Sequence, residues 1–317
     1  MNFSDEYSRR AATPSFCREA GMASPNAKSH WRPVPVRKCY PEDFVGGVDG
    51  HAVYPPAMKV MSALSVILFS FALSTHSYAQ TDTAKDSLPQ VPAGKEWKLI
   101  WNDEFDGTKL DETKWNRLGD WKRRDGLWVK EDAYLSGKGT LLLRTKKDGD
   151  RYTCGAVNTQ GKFEHAFGYY VARCRMPKQP GHWPAFWMMC SGVGKVGDEG
   201  RDGTEIDIVE IPWRDGKVTF NLHWDGYGKD HKSAGTNTTV AALTEGFHDY
   251  GLLWTKDEYV FYVDGKEVWR TKAGGVSQVP EYLKLTEEIG EWGGDITKAQ
   301  LPDYFEVDYV RVYEMTK

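Results

Sequence analysis

One seven-residue run constrains this chain more than any other: Thr204-Glu205-Ile206-Asp207-Ile208-Val209-Glu210. Its β-branched aliphatic residues favour a strand, yet it carries three carboxylates, which a strand buried on both faces cannot hold unpaired. Strand faces alternate with period two, so Glu205 and Asp207 share a face while Glu210 falls on the other. One extra residue around Ile208-Val209, taken up as a bulge, returns Glu210 to the face of Glu205. The competing expectation is an edge strand whose charges only keep it from pairing with another chain.

Similar runs recur. Leu141–Thr145, Tyr169–Arg173, Val218–Leu222 and Glu258–Val263 are short, aromatic and β-branched, and Asp264-Gly265 predicts a hairpin turn before Lys266–Arg270. No long stretch has a helical period. Many short strands separated by turns predict an all-β chain, two antiparallel sheets packed as a sandwich or jelly roll.

Two glutamates on one face, roughly 13 Å apart at Cα along such a strand, can approach through long side chains. A retaining glycosidase holds its carboxyl pair about 5–5.5 Å apart, one to attack the sugar and one to protonate the leaving oxygen. Aromatic residues flank the run, Trp183-Pro184-Ala185-Phe186-Trp187 before it and Asn221-Leu222-His223-Trp224 after it, and flat rings suit sugar faces. Trp183 and Trp187 are four apart and share a strand face, which favours a paired platform over core packing. Of the 13 tryptophans, 12 fall between Trp97 and Trp292; buried packing accounts for part of that number. Trp213, Tyr227 and Trp292 are candidates for substrate recognition or for packing.

Other chemistry finds little support. Residues 80–317 contain no Gly-x-Ser-x-Gly, phosphate loop or His-Glu-x-x-His, and His and Cys lack zinc spacing. A formal net charge of −4 and a pI near 6.1 argue against electrostatic binding of nucleic acid.

Several segments together resemble family 16 glycoside hydrolases, in order and over roughly residues 95–315. Trp97–Phe105 resembles the family's opening strand. Tyr152, Asn158-Thr159, Gly168, Arg173–Pro177 and Gly181–Trp187 resemble the strands before its active site. Glu205–Glu210 resembles the bulged catalytic signature, and Val307–Tyr313 the last strand. The resemblance implies a concanavalin-like jelly roll with an open cleft on its concave sheet, and endo-acting, retaining hydrolysis of a β-linked polysaccharide. Glu205 would be the nucleophile, Glu210 the acid and then base, and Asp207 the carboxylate orienting the nucleophile. Trp183 and Trp187 would line the subsites, and His223 would stand beside the acid/base; a neutral histidine bridging strands is the alternative for His223. The resemblance also permits a structural calcium at Glu104 and Asp308, where surface charge is the other reading, and requires no other cofactor.

Within the resemblance, endo-β-1,3-glucanases are the nearest match, with mixed-linkage glucan the second substrate. Leu285–Gly294 departs from their late Gly-Gly-aromatic segment, so a red-algal galactan (agarose, porphyran or carrageenan) stays open. A non-catalytic polysaccharide-binding module is a third reading, against which the three carboxylates stand.

Met58–Ala79 reads as a signal peptide: one lysine, an apolar run to Leu73 and a small-x-small site cutting after Ala79. A misplaced start would explain residues 1–57. A polar linker (80–93) and one catalytic domain (94–317) follow, giving a secreted monomer without membrane or nucleic-acid partners. Cys154, Cys174 and Cys190 remain, an odd number, predicted to be buried free thiols.

Overall fold

The computed structural model describes residues 88–316. The expected start-site segment (1–57), the signal peptide (58–79) and residues 80–87 of the expected linker lie outside the described residues.

Two sheets, antiparallel but for one short pairing, close over one apolar core. The larger has eleven strands, with Gly168–Arg175, Asp303–Met315 and Leu141–Asp148 at its centre and Trp97–Asp103 paired to Asp303–Met315. The smaller has eight. They run in the order Lys232–Thr239, Lys217–Trp224, Glu205–Glu210, His182–Met189, Glu281–Ile289, Ala156–Asn158 and Asn116–Arg117, with Glu164–His165 also beside Glu281–Ile289. Among the described residues the only helices are short 3₁₀ turns.

Period-two patterning explains the closure. On Gly168–Arg175, Tyr170, Ala172 and Cys174 point into the core, where they join Phe186 and Met188 of His182–Met189 and Phe220 and Leu222 of Lys217–Trp224. Arg173 and Arg175 take the outer face and pair with Asp308 and Glu306. Val263 pairs with Lys266 across Asp264-Gly265, both at positive φ (48° and 73°), the two-residue turn that this dipeptide predicts. Cys154, Cys174 and Cys190 are free and buried.

The end of the expected linker departs from a free tether. Leu88 packs against Tyr169, Tyr309 and their neighbours on the outer face of the larger sheet, and the Pro89 carbonyl accepts a hydrogen bond from Trp97 Nε1 at 2.8 Å. An outward aromatic cluster needs cover, and this segment supplies part of it.

Candidate active site

The strand Glu205–Glu210 is central in the smaller sheet, with His182–Met189 on one side and Lys217–Trp224 on the other. Against the first, Val209 pairs with Phe186 and Asp207 with Trp187, leaving Ile208 without an opposite residue. Against the second, Asp207 pairs with Asn221 and Glu210 with Thr219, so Ile208 and Val209 together stand against Phe220 alone. The extra residue is a bulge at Ile208-Val209, and both side chains are fully buried in the core. Two consecutive inward side chains are the physical reason that Glu210 emerges on the face of Glu205 and Asp207. The edge-strand alternative does not hold.

The same register carries one line of side chains across the sheet. Gly235, Asn221, Asp207, Trp187, Lys284, Asn158 and Asn116 stand opposite one another on successive strands. At about 4.8 Å per strand the row is roughly 29 Å long.

Each carboxylate has its own surroundings. Glu210 is 8% exposed and accepts from Trp183 Nε1 and from Asn221 Nδ2, both at 2.7 Å. Burial outweighs these two donors, which favour the charged form, and with the neighbouring carboxylates raises the Glu210 carboxyl to about 7. Asp207, 3% exposed, is pushed well up by burial and then by the charges of Glu210 and Glu205. Glu205 is half-buried and accepts from the Tyr227 hydroxyl. Burial raises it too, opposed by that hydroxyl and by the Lys284 charge. Three carboxyls this close cannot all ionise at neutral pH, the condition an acid and a nucleophile in one site require.

His223 pairs across strands with Glu205, and its Nε2 lies 3.5 Å from Asp207. The neighbours of Glu210 are instead Trp183 and Asn221. Burial, then the nearby His231, lowers His223 to about 4, so the ring is neutral near pH 7; its Nδ1 lies 2.9 Å from His231 Nε2. The neutral, strand-bridging reading fits this placement. Single ligand atoms of Glu205, Asp207 and His223 fall within 4.8 Å of one another. A divalent ion held there would block Glu205.

Trp183, Trp292 and Trp213 come together, edge to face, with ring centroids 4.6 Å apart in the first pair and 5.4 Å in the second. They form an aromatic wall at the Glu210 end. Trp187 stands apart from that wall, beside Asp207 in the cross-strand row, and its Nε1 donates to Thr286 at 2.9 Å. Sequence reasoning saw Trp183 only as a ring; its N–H on Glu210 could not be read from spacing. Asn221 and the Tyr227 contact with Glu205 were missed in the same way, although both lie near His223 in the chain.

Two effects follow from these contacts. Replacing Trp183 by Phe removes a donor that favours ionised Glu210, so the fall of kcat/KM on the alkaline side should move to higher pH; an unmoved limb in the pH profile would separate Trp183 from the acid. At Gly235 an added Cβ would stand 2.2 Å from Asn221 Oδ1, so Gly235→Ala should push Asn221 off Glu210. A loss of kcat on the order of ten-fold is expected for one displaced hydrogen bond to a charged group, with some fall in melting temperature because the Cβ also meets the Phe220 carbonyl oxygen at 2.9 Å. Unchanged kinetics would show that Asn221 is dispensable.

Glu104 and Asp308 do not offer a calcium site as placed. Glu104 is held by Arg311 through two hydrogen bonds of 2.9 and 2.8 Å, and Asp308 by Arg173 at 2.8 Å. The nearby Asp103 is taken up by the Phe105 amide and Trp115 Nε1. Calcium needs six to eight oxygen ligands, and guanidinium groups already occupy these carboxylates.

Comparison with known proteins agrees with this architecture. The profile of glycosyl hydrolases family 16 matches residues 120–311. The chain belongs to that family. It is 30% identical over 289 residues to a keratan-sulfate endo-1,4-beta-galactosidase of Sphingobacterium multivorum, covering 81% of this chain and 67% of that one. It is 28% identical to glucan endo-1,3-beta-glucosidase A1 of Niallia circulans, covering 71% of this chain but only 39% of the relative. A laminarinase structure from Flavobacterium sp. UMI-01 matches with a TM-score of 0.58 at 30% identity, over 68% of this chain and all of the other.

Proposed function

We propose that this chain is a retaining, endo-acting hydrolase of a β-linked polysaccharide. The observation that carries the proposal is the bulge at Ile208-Val209, which sets Glu205, Asp207 and Glu210 on one face. In the first step Glu205 attacks the anomeric carbon, the glycosidic bond breaks, and Glu210 gives its proton to the leaving oxygen. Esterification removes the charge of Glu205, so Glu210 ionises more readily, takes a proton from water, and the resulting hydroxide displaces Glu205. Asp207, buried beside both, orients Glu205, while the Glu205 charge opposes early ionisation of Glu210.

A row of residues running across seven strands supports binding within a long polymer rather than at its end. β-1,3- and mixed-linkage glucans are the first substrate reading, favoured by the glucanase and laminarinase relatives. A galactan is the second, favoured by the galactosidase relative and by Lys284, a cation in the middle of the row. Incubating the protein and its Glu205→Gln variant with laminarin, barley β-glucan, agarose, porphyran, carrageenan and keratan sulfate, and measuring new reducing ends, tests the proposal. Cleavage by the wild type alone supports it; binding without cleavage by either would favour the polysaccharide-binding module.

Export belongs to the same proposal and rests on Met58–Ala79 alone. Mass spectrometry of the native protein should find Gln80 first; a chain starting near Met1 would overturn it.

A further inference from the structure

The strand Glu281–Ile289 contributes Lys284 to the cross-strand row, directly opposite Trp187 on one side and Asn158 on the other. Lys284 is 8% exposed, and its Nζ lies 3.6 Å from the centre of the Trp187 ring and 5.7 Å from that of Trp128. Among the described residues no hydrogen bond or ion pair holds this ammonium. A lysine nine-tenths buried normally finds a partner, because its desolvated charge and three donors are costly to leave unmet. Burial, then the charge of Arg123, lowers Lys284 to about 7, while Glu205, Glu288 and Asp207 pull it upward without restoring its ordinary value.

Beyond Lys284 the same face carries two more cations. Glu288 emerges opposite Trp183, and Arg123 and Arg124 both pair with it, Arg123 Nε at 2.8 Å. The Arg124 guanidinium lies 3.8 Å over the Trp183 ring, and that of Arg123 is 5.1 Å from the Trp128 ring. Burial raises Glu288, but the two guanidinium groups hold it below the usual carboxylate range, so it remains charged. Lys284, Arg123 and Arg124 thus stand on this flank of the row, with the two guanidinium groups spent on Glu288 and with Glu205 and Asp207 acting on Lys284 without a hydrogen bond to it.

We propose that Lys284 is a specificity-determining residue that binds an anionic substituent, sulfate or carboxylate, on a sugar seated along the cross-strand row. The proposal rests on the hydrolase reading and selects the charged-galactan type of substrate over a neutral glucan. Trp187 is 6% exposed and carries the ammonium over its ring, so it positions Lys284, and the ammonium supplies charge-assisted hydrogen bonds to the substituent. The competing role is that of a counter-ion to Glu205 and Asp207, which would act on every substrate alike and through turnover.

The test compares wild type, Lys284→Met, which keeps the apolar stem, and Lys284→Arg, which keeps the charge. Substrates are porphyran, carrageenan and keratan sulfate, each native and chemically desulfated, with hyaluronan as the carboxylated arm and laminarin as the neutral one. Wild type should favour one anionic polymer over its uncharged form. Lys284→Met should raise KM on that polymer about ten-fold or more, the effect of one hydrogen bond to a charged group, with the smaller change in kcat, and Lys284→Arg should recover most of it. Preference for native over desulfated polymer would assign sulfate; preference for hyaluronan would assign carboxylate. An equal loss of kcat on charged and uncharged polymers, or a wild type that prefers laminarin, would overturn the proposal.

Binding keeps the two readings apart if nothing is cleaved. Affinity electrophoresis of Glu205→Gln with and without Lys284→Met would support Lys284 if only the former is retarded by the anionic polymer. Equal migration would overturn it independently of the hydrolase reading.

Discussion

Replacing Glu205 with Gln should abolish polymer cleavage, with kcat falling on the order of 10⁴-fold or more, the scale seen when an enzyme loses its covalent nucleophile. Glutamine keeps the shape but cannot form the glycosyl ester. The side chain is half-buried at the strand start and meets Tyr227, so the amide can still accept from that hydroxyl and the fold should survive. A melting temperature near wild type together with lost activity isolates the chemical role. Retention of more than about a tenth of the activity would remove Glu205 from the mechanism.

Glu210→Gln should lower polymer hydrolysis about 10²–10⁴-fold, the usual contribution of a general acid, and abolish the alkaline limb that proton loss from Glu210 near pH 7 gives the wild type. The same substitution should stabilise the protein. The folded-state carboxyl titrates at about 7 against 4.5 for the unperturbed group. Its stability contribution is therefore full below about pH 4.5 and is lost as pH rises through 7. Glutamine removes that loss, so the variant should gain on the order of 2–3 kcal/mol at pH 8, less whatever Asp207 and Glu205 share of the titration. Melting curves at pH 5 and pH 8 should converge at the first and separate at the second. A variant less stable than wild type at pH 8 would contradict the raised carboxyl.

The site was legible where the chain's local pattern dictated geometry. Thr204–Glu210 combined strand-forming aliphatics with acids out of phase, so a bulge was the one way to gather the acids, and the two core-facing residues Ile208 and Val209 provide it. Asp264-Gly265 and the strand-forming run Tyr169–Arg173 were readable for the same reason. The strand Glu281–Ile289 was not singled out, because Glu287-Glu288 masks the alternation of Leu283, Leu285 and Ile289. In the fold Glu287 turns inward to His182 and the Trp183 amide, and Glu288 turns outward to Arg123, 165 residues away. Such long-range charge pairing leaves no local signature. The ion pairs of Glu104 and Asp308 were hidden likewise, since Arg311 and Arg173 reach them only once the strands pair.

The proposed double displacement at Glu205 would fix the stereochemistry of the product, so proton NMR of the first reducing ends released from a cleaved polymer is its most direct test. The account predicts the β-anomer first, with α appearing only by later mutarotation. The α-anomer as the initial product would show single displacement by water and remove Glu205 as nucleophile.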